Sequence, residues 1–308
     1  MYHSWNLRRL LRYLALDTAL VLAAILLTHL GKHHFPAVDS AGGVSLPVLM
    51  YHSVAPVPEQ QYCVTPETLE SDLRYLQAHG YETVSPEELV AYTNGNGTLP
   101  EKPVMLTFDD GLYNNLSLVL PLLETYDMCA VVSVVGIFTD EYAPDAPHND
   151  VYLTWEDLKQ MHDSGRITLG SHTYDMHENG TRQGCAKTDW ETEEEYHETL
   201  YADLSLMQTR FQEELQIQPA VFAYPYGFVC SESKPVLADL GFQITLTCLE
   251  KPNFITRNPA CLYGINRYNR PGNTSTAEIM QKVLSDEKTG GLASCADVIT
   301  SAAGRWFA

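Results

Sequence analysis

One stretch constrains this chain more than any other, an apolar run that ends in two adjacent carboxylates and a glycine. Residues 103–108 show no polar alternation, which predicts a strand buried on both faces of a sheet. Asp109, Asp110 and Gly111 follow directly. Neighbouring side chains normally point to opposite faces of a strand, but a glycine at its end lets the backbone turn, so that both carboxylates can approach one centre.

Two carboxylates at one centre repel each other unless a cation or a shared proton lies between them. Our first hypothesis is therefore that one of them binds a metal ion and the other acts as a base. A plain turn or a helix N-cap is the alternative, because Asp-Asp-Gly also suits those structures. The tripeptide alone leaves both interpretations open.

Composition limits the functions that need to be considered. The 308 residues, 45% of them hydrophobic, suffice for one large α/β domain or two smaller ones. A net charge of −20 argues against a nucleic acid partner, because phosphates would be repelled, and is compatible with a neutral or cationic polymer. The seven cysteines include no Cys-x-x-Cys pair, which argues against a thiolate zinc site. Oligomeric state is left open.

The first 31 residues predict a membrane anchor. Arg8, Arg9 and Arg12 precede a largely apolar run, Tyr13 to Leu30, that is about long enough to cross a bilayer. The basic flank predicts that the rest of the chain lies outside the cell membrane. No small-x-small cleavage site follows, so we expect a single-pass anchor, with a cleaved, secreted form as the alternative. Residues 32–43 predict a linker, and membrane contact is expected through the anchor only.

Beyond the linker, strand and helix patterns alternate. Seven or eight strands separated by helices predict a mainly parallel sheet, either open or closed into a barrel. Sites in such folds lie at the carboxyl ends of the strands. The predicted strands are 48–52, 105–108, 130–135, 167–170, 221–223, 243–247 and 263–267; helices are predicted to start after Thr65, Ser85, Thr154 and Thr192 and to cover 116–126, 234–240 and 277–284.

Polar residues that suit metal chemistry follow four of these strands. His52 ends the first strand, the two acids end the next, and His172 follows the strand at 167–170, with His177 in the loop beyond it. Tyr224-Pro225-Tyr226-Gly227 follows the strand at 221–223. One Asp with two His makes a good ligand set for a divalent transition metal.

Three motifs resemble those of the polysaccharide deacetylases, the NodB-homology or carbohydrate esterase 4 family: Thr107 to Gly111, His172 to His177, and Phe222 to Gly227. Their order and spacing agree with that family over roughly residues 45 to 285. The resemblance implies a distorted (β/α)7-type barrel in one catalytic domain, residues 44–290, followed by a tail, 291–308. It also implies metal-dependent removal of N-acetyl groups from peptidoglycan, poly-N-acetylglucosamine or a chitin-like polymer.

The resemblance assigns a role to each motif residue. It implies that Asp110, His172 and His177 bind a divalent metal, for which we expect zinc, with cobalt or nickel as alternatives. Asp109 would be the general base, and the backbone N–H of Tyr226 would stabilise the oxyanion.

The chain departs from the common family pattern at three points. Its two motif histidines are five residues apart rather than four, which resembles the poly-N-acetylglucosamine deacetylase branch. Ala220 stands where an arginine often orients the catalytic aspartate, and Arg267 is the expected substitute. The usual C-terminal Leu-x-x-His is absent, and Tyr51-His52 matches the sequence that replaces it in the permuted branch, so His52 is the expected general acid.

Other functions remain open on these residues. An O-acetyl esterase acting on acetylated xylan-type polymers would use the same catalytic groups. A catalytically inactive wall-binding homologue would share the scaffold, although the intact acids and histidines argue against it. A phosphate-handling metalloenzyme is disfavoured because no basic cluster accompanies the acids.

Overall fold

The computed structural model describes residues 43–57, 61–141 and 152–288. The expected anchor at 1–31, nearly all of the expected linker and the expected tail at 291–308 lie outside these described residues. None of the helices in the described residues is long and apolar enough to span a bilayer.

A parallel sheet forms the centre of the domain. Its strands are β2 (Val48–Tyr51), β5 (Glu82–Thr83), β6 (Pro103–Phe108), β7 (Ala130–Val134), β8 (Ile167–Ser171), β9 (Val221–Ala223), β10 (Ile244–Leu246), β12 (Tyr263–Ile265) and β13 (Tyr268–Asn269). All of the strand pairs are parallel, and the order is β12-β10-β9-β8-β7-β6-β2-β13, with the short β5 beside β6.

The two edges of this sheet are joined by a very short piece of chain. β12 pairs with β10 at one edge and β13 pairs with β2 at the other, yet only Asn266 and Arg267 separate them. The predicted strand 263–267 is therefore wrong at its end, because the chain leaves one neighbour after Ile265 to reach the other. This topology agrees with a (β/α) barrel in which the stretch 263–269 closes the circle.

Helices cover the sheet, and the four predicted N-caps are confirmed. Thr65 accepts a hydrogen bond from the Thr68 N–H, and Ser85, Thr154 and Thr192 each form a reciprocal capping box. The helices are α1 (Pro66–Ala78), α2 (Pro86–Thr93), α3 (Leu120–Tyr126), α4 (Gly136–Glu141), α5 (Trp155–Asp163), α6 (Glu193–Leu215) and α7 (Ser233–Asp239), with a last helix over 276–288.

Smaller elements complete the fold. A π-helix precedes α3, and short 3-10 helices follow β9 and precede β12. The six cysteines in the described part of the chain are all free thiols. The remaining elements are β1 (Val44–Ser45), β3 (Ser53–Val54), β4 (Cys63–Val64) and β11 (Phe254–Ile255), the π-helix Asn115–Val119 and the 3-10 helices Pro225–Gly227 and Pro259–Leu262.

The core lies on both faces of the sheet. All six residues of β6 are buried, as their unbroken apolar pattern predicts. A buried polar cluster fastens β2 to the elements around it: Asp72 on α1 accepts hydrogen bonds from the Tyr51 hydroxyl at 2.9 Å and from Arg270 at 2.7 and 3.1 Å. Because His52 follows Tyr51 directly, this cluster also fixes the end of β2.

Candidate metal and catalytic site

Three residues at the carboxyl ends of the strands adopt left-handed backbone conformations. Asp110 after β6 has φ 72°, Thr173 after β8 has φ 75°, and Tyr226 after β9 has φ 56°. Such conformations are unfavourable for residues other than glycine, and they persist where the surrounding structure enforces them, often at functional sites. They turn the chain sharply at one edge of the sheet, where the sequence predicts the site.

Gly111 allows the turn that separates the two acids. Its φ is 68°, and a Cβ atom there would lie 2.7 Å from Cγ1 of Val134. The chain therefore does turn at Asp-Asp-Gly. The two carboxylates nevertheless have different partners. Asp109 faces Arg267, and Asp110 faces two histidines.

Asp110, His172 and His177 form a candidate metal site, because one ligand atom from each lies within 4.8 Å of the others. Oδ1 of Asp110 lies 3.7 Å from Nε2 of His172 and 3.3 Å from Nε2 of His177. Nδ1 of His172 lies 2.8 Å from the carbonyl oxygen of Ala223, so a proton on Nδ1 leaves the Nε2 lone pair free. One carboxylate and two imidazoles fit a divalent transition metal with open coordination positions.

The protonation states also suit metal binding. Burial lowers the pKa of His172 below its ordinary value, against the opposing charges of Asp109 and Asp110, so this ring is neutral at pH 7. Burial alone would raise the pKa of Asp110, but the hydrogen bond with His177 outweighs it, so the pKa is lowered on balance. A neutral imidazole and an ionised carboxylate are the forms that bind cations.

Asp109 and Arg267 form a fully buried ion pair beside the candidate metal site. Both side chains are almost inaccessible to solvent, and the N–O distances are 2.7 and 2.8 Å. Arg267 also donates from Nε to the Thr247 carbonyl oxygen at 2.8 Å. Burial works to raise the pKa of Asp109, but the charge and hydrogen bonds of Arg267 hold it well below its usual range.

His52 and Asp109 each follow the last residue of one of two paired strands, β2 and β6. The Asp109 N–H donates to the carbonyl oxygen of Tyr51 at 3.0 Å, and His52 is the next residue. Asn115, in the π-helix, donates to the His52 carbonyl oxygen at 3.3 Å. Within the described residues, the buried Nδ1 of His52 has no hydrogen-bond partner, which leaves that atom available to a ligand.

Tyr226 lies in a tight turn that contacts the candidate metal site. The centre of its ring is 4.7 Å from that of His177, and its side chain is 46% exposed. Gly227 follows with φ 73°, and a Cβ there would lie 2.5 Å from Cβ of Cys248. Only glycine therefore fits at position 227, directly after Tyr226.

Two aromatic residues near His177, Phe138 and Tyr152, are not predicted from the sequence. The Phe138 ring lies 5.9 Å from the His177 ring and stacks on Tyr152 at 4.4 Å. Phe138 belongs to α4, a short helix that was not predicted. No signal in the sequence links either residue to the motifs.

A comparison with known families decides the identity of this domain. The family model for polysaccharide deacetylases matches residues 96–245, which contain the acid pair, the two histidines and the Tyr226 turn. This part of the chain is a polysaccharide deacetylase domain. This confirms the family that the three motifs indicate.

Individual proteins that are similar to this domain include further deacetylases. The chain is 26% identical over 260 residues to the poly-beta-1,6-N-acetyl-D-glucosamine N-deacetylase of Escherichia coli K12, covering 77% of this chain but only 38% of that protein. Among solved structures, a de-N-acetylase from Aggregatibacter actinomycetemcomitans is 26% identical with a TM-score of 0.67, covering 77% of this chain and 99% of the other. IcaB from Ammonifex degensii is 25% identical with a TM-score of 0.64, covering 75% and 94%.

Proposed function

We propose that this protein is a metal-dependent hydrolase that removes N-acetyl groups from a polysaccharide containing N-acetylglucosamine. One observation carries the proposal: Asp110, His172 and His177 converge on one point, directly beside Asp109 and its buried partner Arg267. A protein that only binds polysaccharide does not need a metal ligand set next to an oriented carboxylate.

The residues of the site divide the work of amide hydrolysis between them. Asp110, His172 and His177 would hold the cation, for which we propose zinc, with cobalt or nickel as alternatives. A divalent cation, when bound, lowers the pKa of water toward 7 and polarises the amide carbonyl. Asp109 accepts the proton of the attacking water. The Tyr226 N–H donates to the oxygen that becomes negatively charged.

Arg267 orients Asp109 and limits its basicity. Two hydrogen bonds fix the plane of the carboxylate, so the proton acceptor is already positioned when substrate arrives. The same pairing holds the pKa of Asp109 low, so its carboxylate is ionised and able to accept a proton at neutral pH.

His52 supplies the proton that the leaving amine needs. It follows the strand that pairs with β6, its position brings it beside Asp109, and its Nδ1 is buried without a partner in the described part of the chain. Histidine suits this task because its ordinary pKa lies near neutrality. We therefore assign His52 as the general acid.

The name of one relative and the net charge of this chain both favour a polymer of N-acetylglucosamine as the substrate. The E. coli relative is named for poly-beta-1,6-N-acetyl-D-glucosamine, and we propose the same polymer class here. The net charge of −20 would favour a polymer that becomes cationic as its amines are freed. We further propose that the domain acts outside the cell membrane, tethered by the segment 1–31, which protease added to intact cells would test by releasing or degrading the domain.

A substrate panel tests the proposed function. Purified protein loaded with zinc is incubated with oligomers of poly-beta-1,6-N-acetylglucosamine, chitin and peptidoglycan and with acetylated xylan, and acetate and free amine are both measured. We expect acetate with equimolar amine from the first polymer, abolished by a chelator. Acetate from xylan alone would identify an O-acetyl esterase, and no acetate from any polymer would contradict the proposal.

A further inference from the structure

The loop between the two histidines of the metal site is held by a residue from a distant helix. Asp203 lies on α6, and its carboxylate accepts hydrogen bonds from the backbone N–H groups of Tyr174 at 2.9 Å and Asp175 at 2.7 Å. Those two residues lie between His172 and His177 in the sequence. Neither the three motifs nor the spacing of the histidines points to Asp203.

The backbone of this loop has the geometry that binds an anion. Thr173 is left-handed, with φ 75°, and the next two N–H groups point together to the same carboxylate. Successive N–H groups beside a left-handed residue form a concavity that favours an anionic oxygen. Asp203 supplies that anion from within the chain and stabilises a conformation that Thr173 would otherwise rarely adopt.

The side chain of Tyr174 provides a second, separate attachment. Its hydroxyl donates to Oδ2 of Asp140 on α4 at 2.9 Å, and Asp140 also accepts hydrogen bonds from Arg210 on α6 and from Trp155. This network fixes the aromatic side chain of the loop. It does not contact the two N–H groups that Asp203 holds.

We propose that Asp203 is a positioning residue for the metal site, which holds the backbone between His172 and His177 and so sets the distance between their imidazoles. This rests on the proposed function, since it assumes that the two histidines bind a metal. The histidines are five residues apart, and a loop of that length needs a constraint to present two nitrogen atoms to one ion. Asp203 acts through these residues and does not touch the ion.

Metal affinity tests this role directly. In the full-length protein, the zinc Kd is measured by competition with a chromophoric chelator for the wild type, Asp203→Ala and Asp203→Asn. Asp203→Ala should raise the Kd about 10- to 100-fold, as expected when a group that orients a ligand is lost. Asp203→Asn keeps one acceptor oxygen and should give an intermediate Kd, which also guards against misfolding of the alanine variant.

Two control variants separate positioning from general stability. Glu198→Ala removes an exposed acid from the same helix and should leave the Kd unchanged. Asp140→Ala should lower the melting temperature of the metal-free protein but change the Kd less than about threefold, because both N–H groups stay bound to Asp203. A Kd for Asp203→Ala within threefold of wild type, or an equal loss of affinity in Asp140→Ala, would overturn the proposal.

Acetate release from the substrate panel distinguishes this inference from the proposed function. Weaker zinc binding by Asp203→Ala together with a wild type that is inactive on every polymer would support the positioning role and reject the deacetylase activity. A wild type that binds neither zinc, cobalt nor nickel would overturn both.

Discussion

Arg267 and Asp109 form a paired set of hydrogen bonds in the interior of the domain, with N–O distances of 2.7 and 2.8 Å. Arg267 occupies the two-residue break between β12 and β13, where the chain passes from one edge of the sheet to the other. The connection that joins the edges of the sheet therefore also delivers the partner of Asp109. Arg267 therefore lies in the connection between the sheet edges and also forms part of the candidate site.

Loss of Arg267 should destabilise the protein strongly. Arg267→Ala leaves a buried carboxylate without its charge partner, which typically costs about 3–5 kcal/mol. Arg74→Ala is the control, because its ion pair with Glu70 lies at the surface, where solvent screens the charges, so its loss should change the stability little. Urea unfolding at pH 7 measures both, and similar losses in the two variants would contradict the importance of the buried pair.

Asp109→Asn should separate catalysis from metal binding. Asparagine has a similar shape but cannot accept the proton, so turnover should fall by roughly two or more orders of magnitude. Zinc content should stay near that of the wild type, because Asp110, His172 and His177 are intact. Elemental analysis and acetate release give the two readouts, and a variant that loses its zinc would show that Asp109 is a ligand.

His52→Ala tests proton donation to the leaving group. An amide needs its nitrogen protonated before it leaves, whereas an activated ester does not. The variant should therefore keep its zinc and its fold but lose most activity on N-acetylglucosamine oligomers, with a much smaller loss on an activated acetate ester. Equal losses on both substrates would indicate a binding or structural role, and unchanged amide hydrolysis would exclude His52 from the mechanism.

The pH dependence of stability should reveal a second ion pair, between Glu191 and Arg182. The hydrogen bond from Arg182, with those from Thr188, lowers the pKa of Glu191 to about 2. Because the folded-state pKa lies below the unfolded value, the stabilisation is complete above about pH 4.5 and is lost as the pH falls toward 2.

Comparison with Glu191→Gln measures this contribution. The variant should be less stable than the wild type by about 1.5–3 kcal/mol at pH 7, as expected for a hydrogen-bonded charged group. Urea unfolding at pH 7, 4.5 and 3 should show the difference shrinking only below pH 4.5. A difference that is constant over this range would mean that the charge of Glu191 contributes nothing.

Local signals in the sequence predicted much of this fold. The helix caps at Thr65, Ser85, Thr154 and Thr192 each depend on a few adjacent residues, so they can be predicted locally. The strand at 221–223 coincides with a short apolar run, which predicts both of its ends. Elements of two residues, such as β5, carry too little pattern to be recognised. α4 has only six residues and no preceding cap signal.

One part of the site follows from the sequence, and the part that depends on distant contacts does not. Asp110, His172 and His177 are predicted at one edge because parallel strands end together, and that rule needs no knowledge of packing. Asp203 is one acid among several on an acidic helix, and only the three-dimensional path of the loop selects it. Likewise, the break at Arg267 arises from pairing with β2, which lies more than 200 residues earlier in the chain.

The metal dependence of this hydrolase is tested most directly by comparing the metal content and activity of Asp110→Ala with those of the wild type. Both proteins are stripped with chelator and titrated with zinc, while bound zinc and acetate release from poly-beta-1,6-N-acetylglucosamine oligomers are followed together. We predict that activity in the wild type rises with bound zinc to one ion per chain, and that Asp110→Ala neither retains zinc nor releases acetate. Full zinc occupancy in Asp110→Ala, or activity in the wild type without metal, would contradict it.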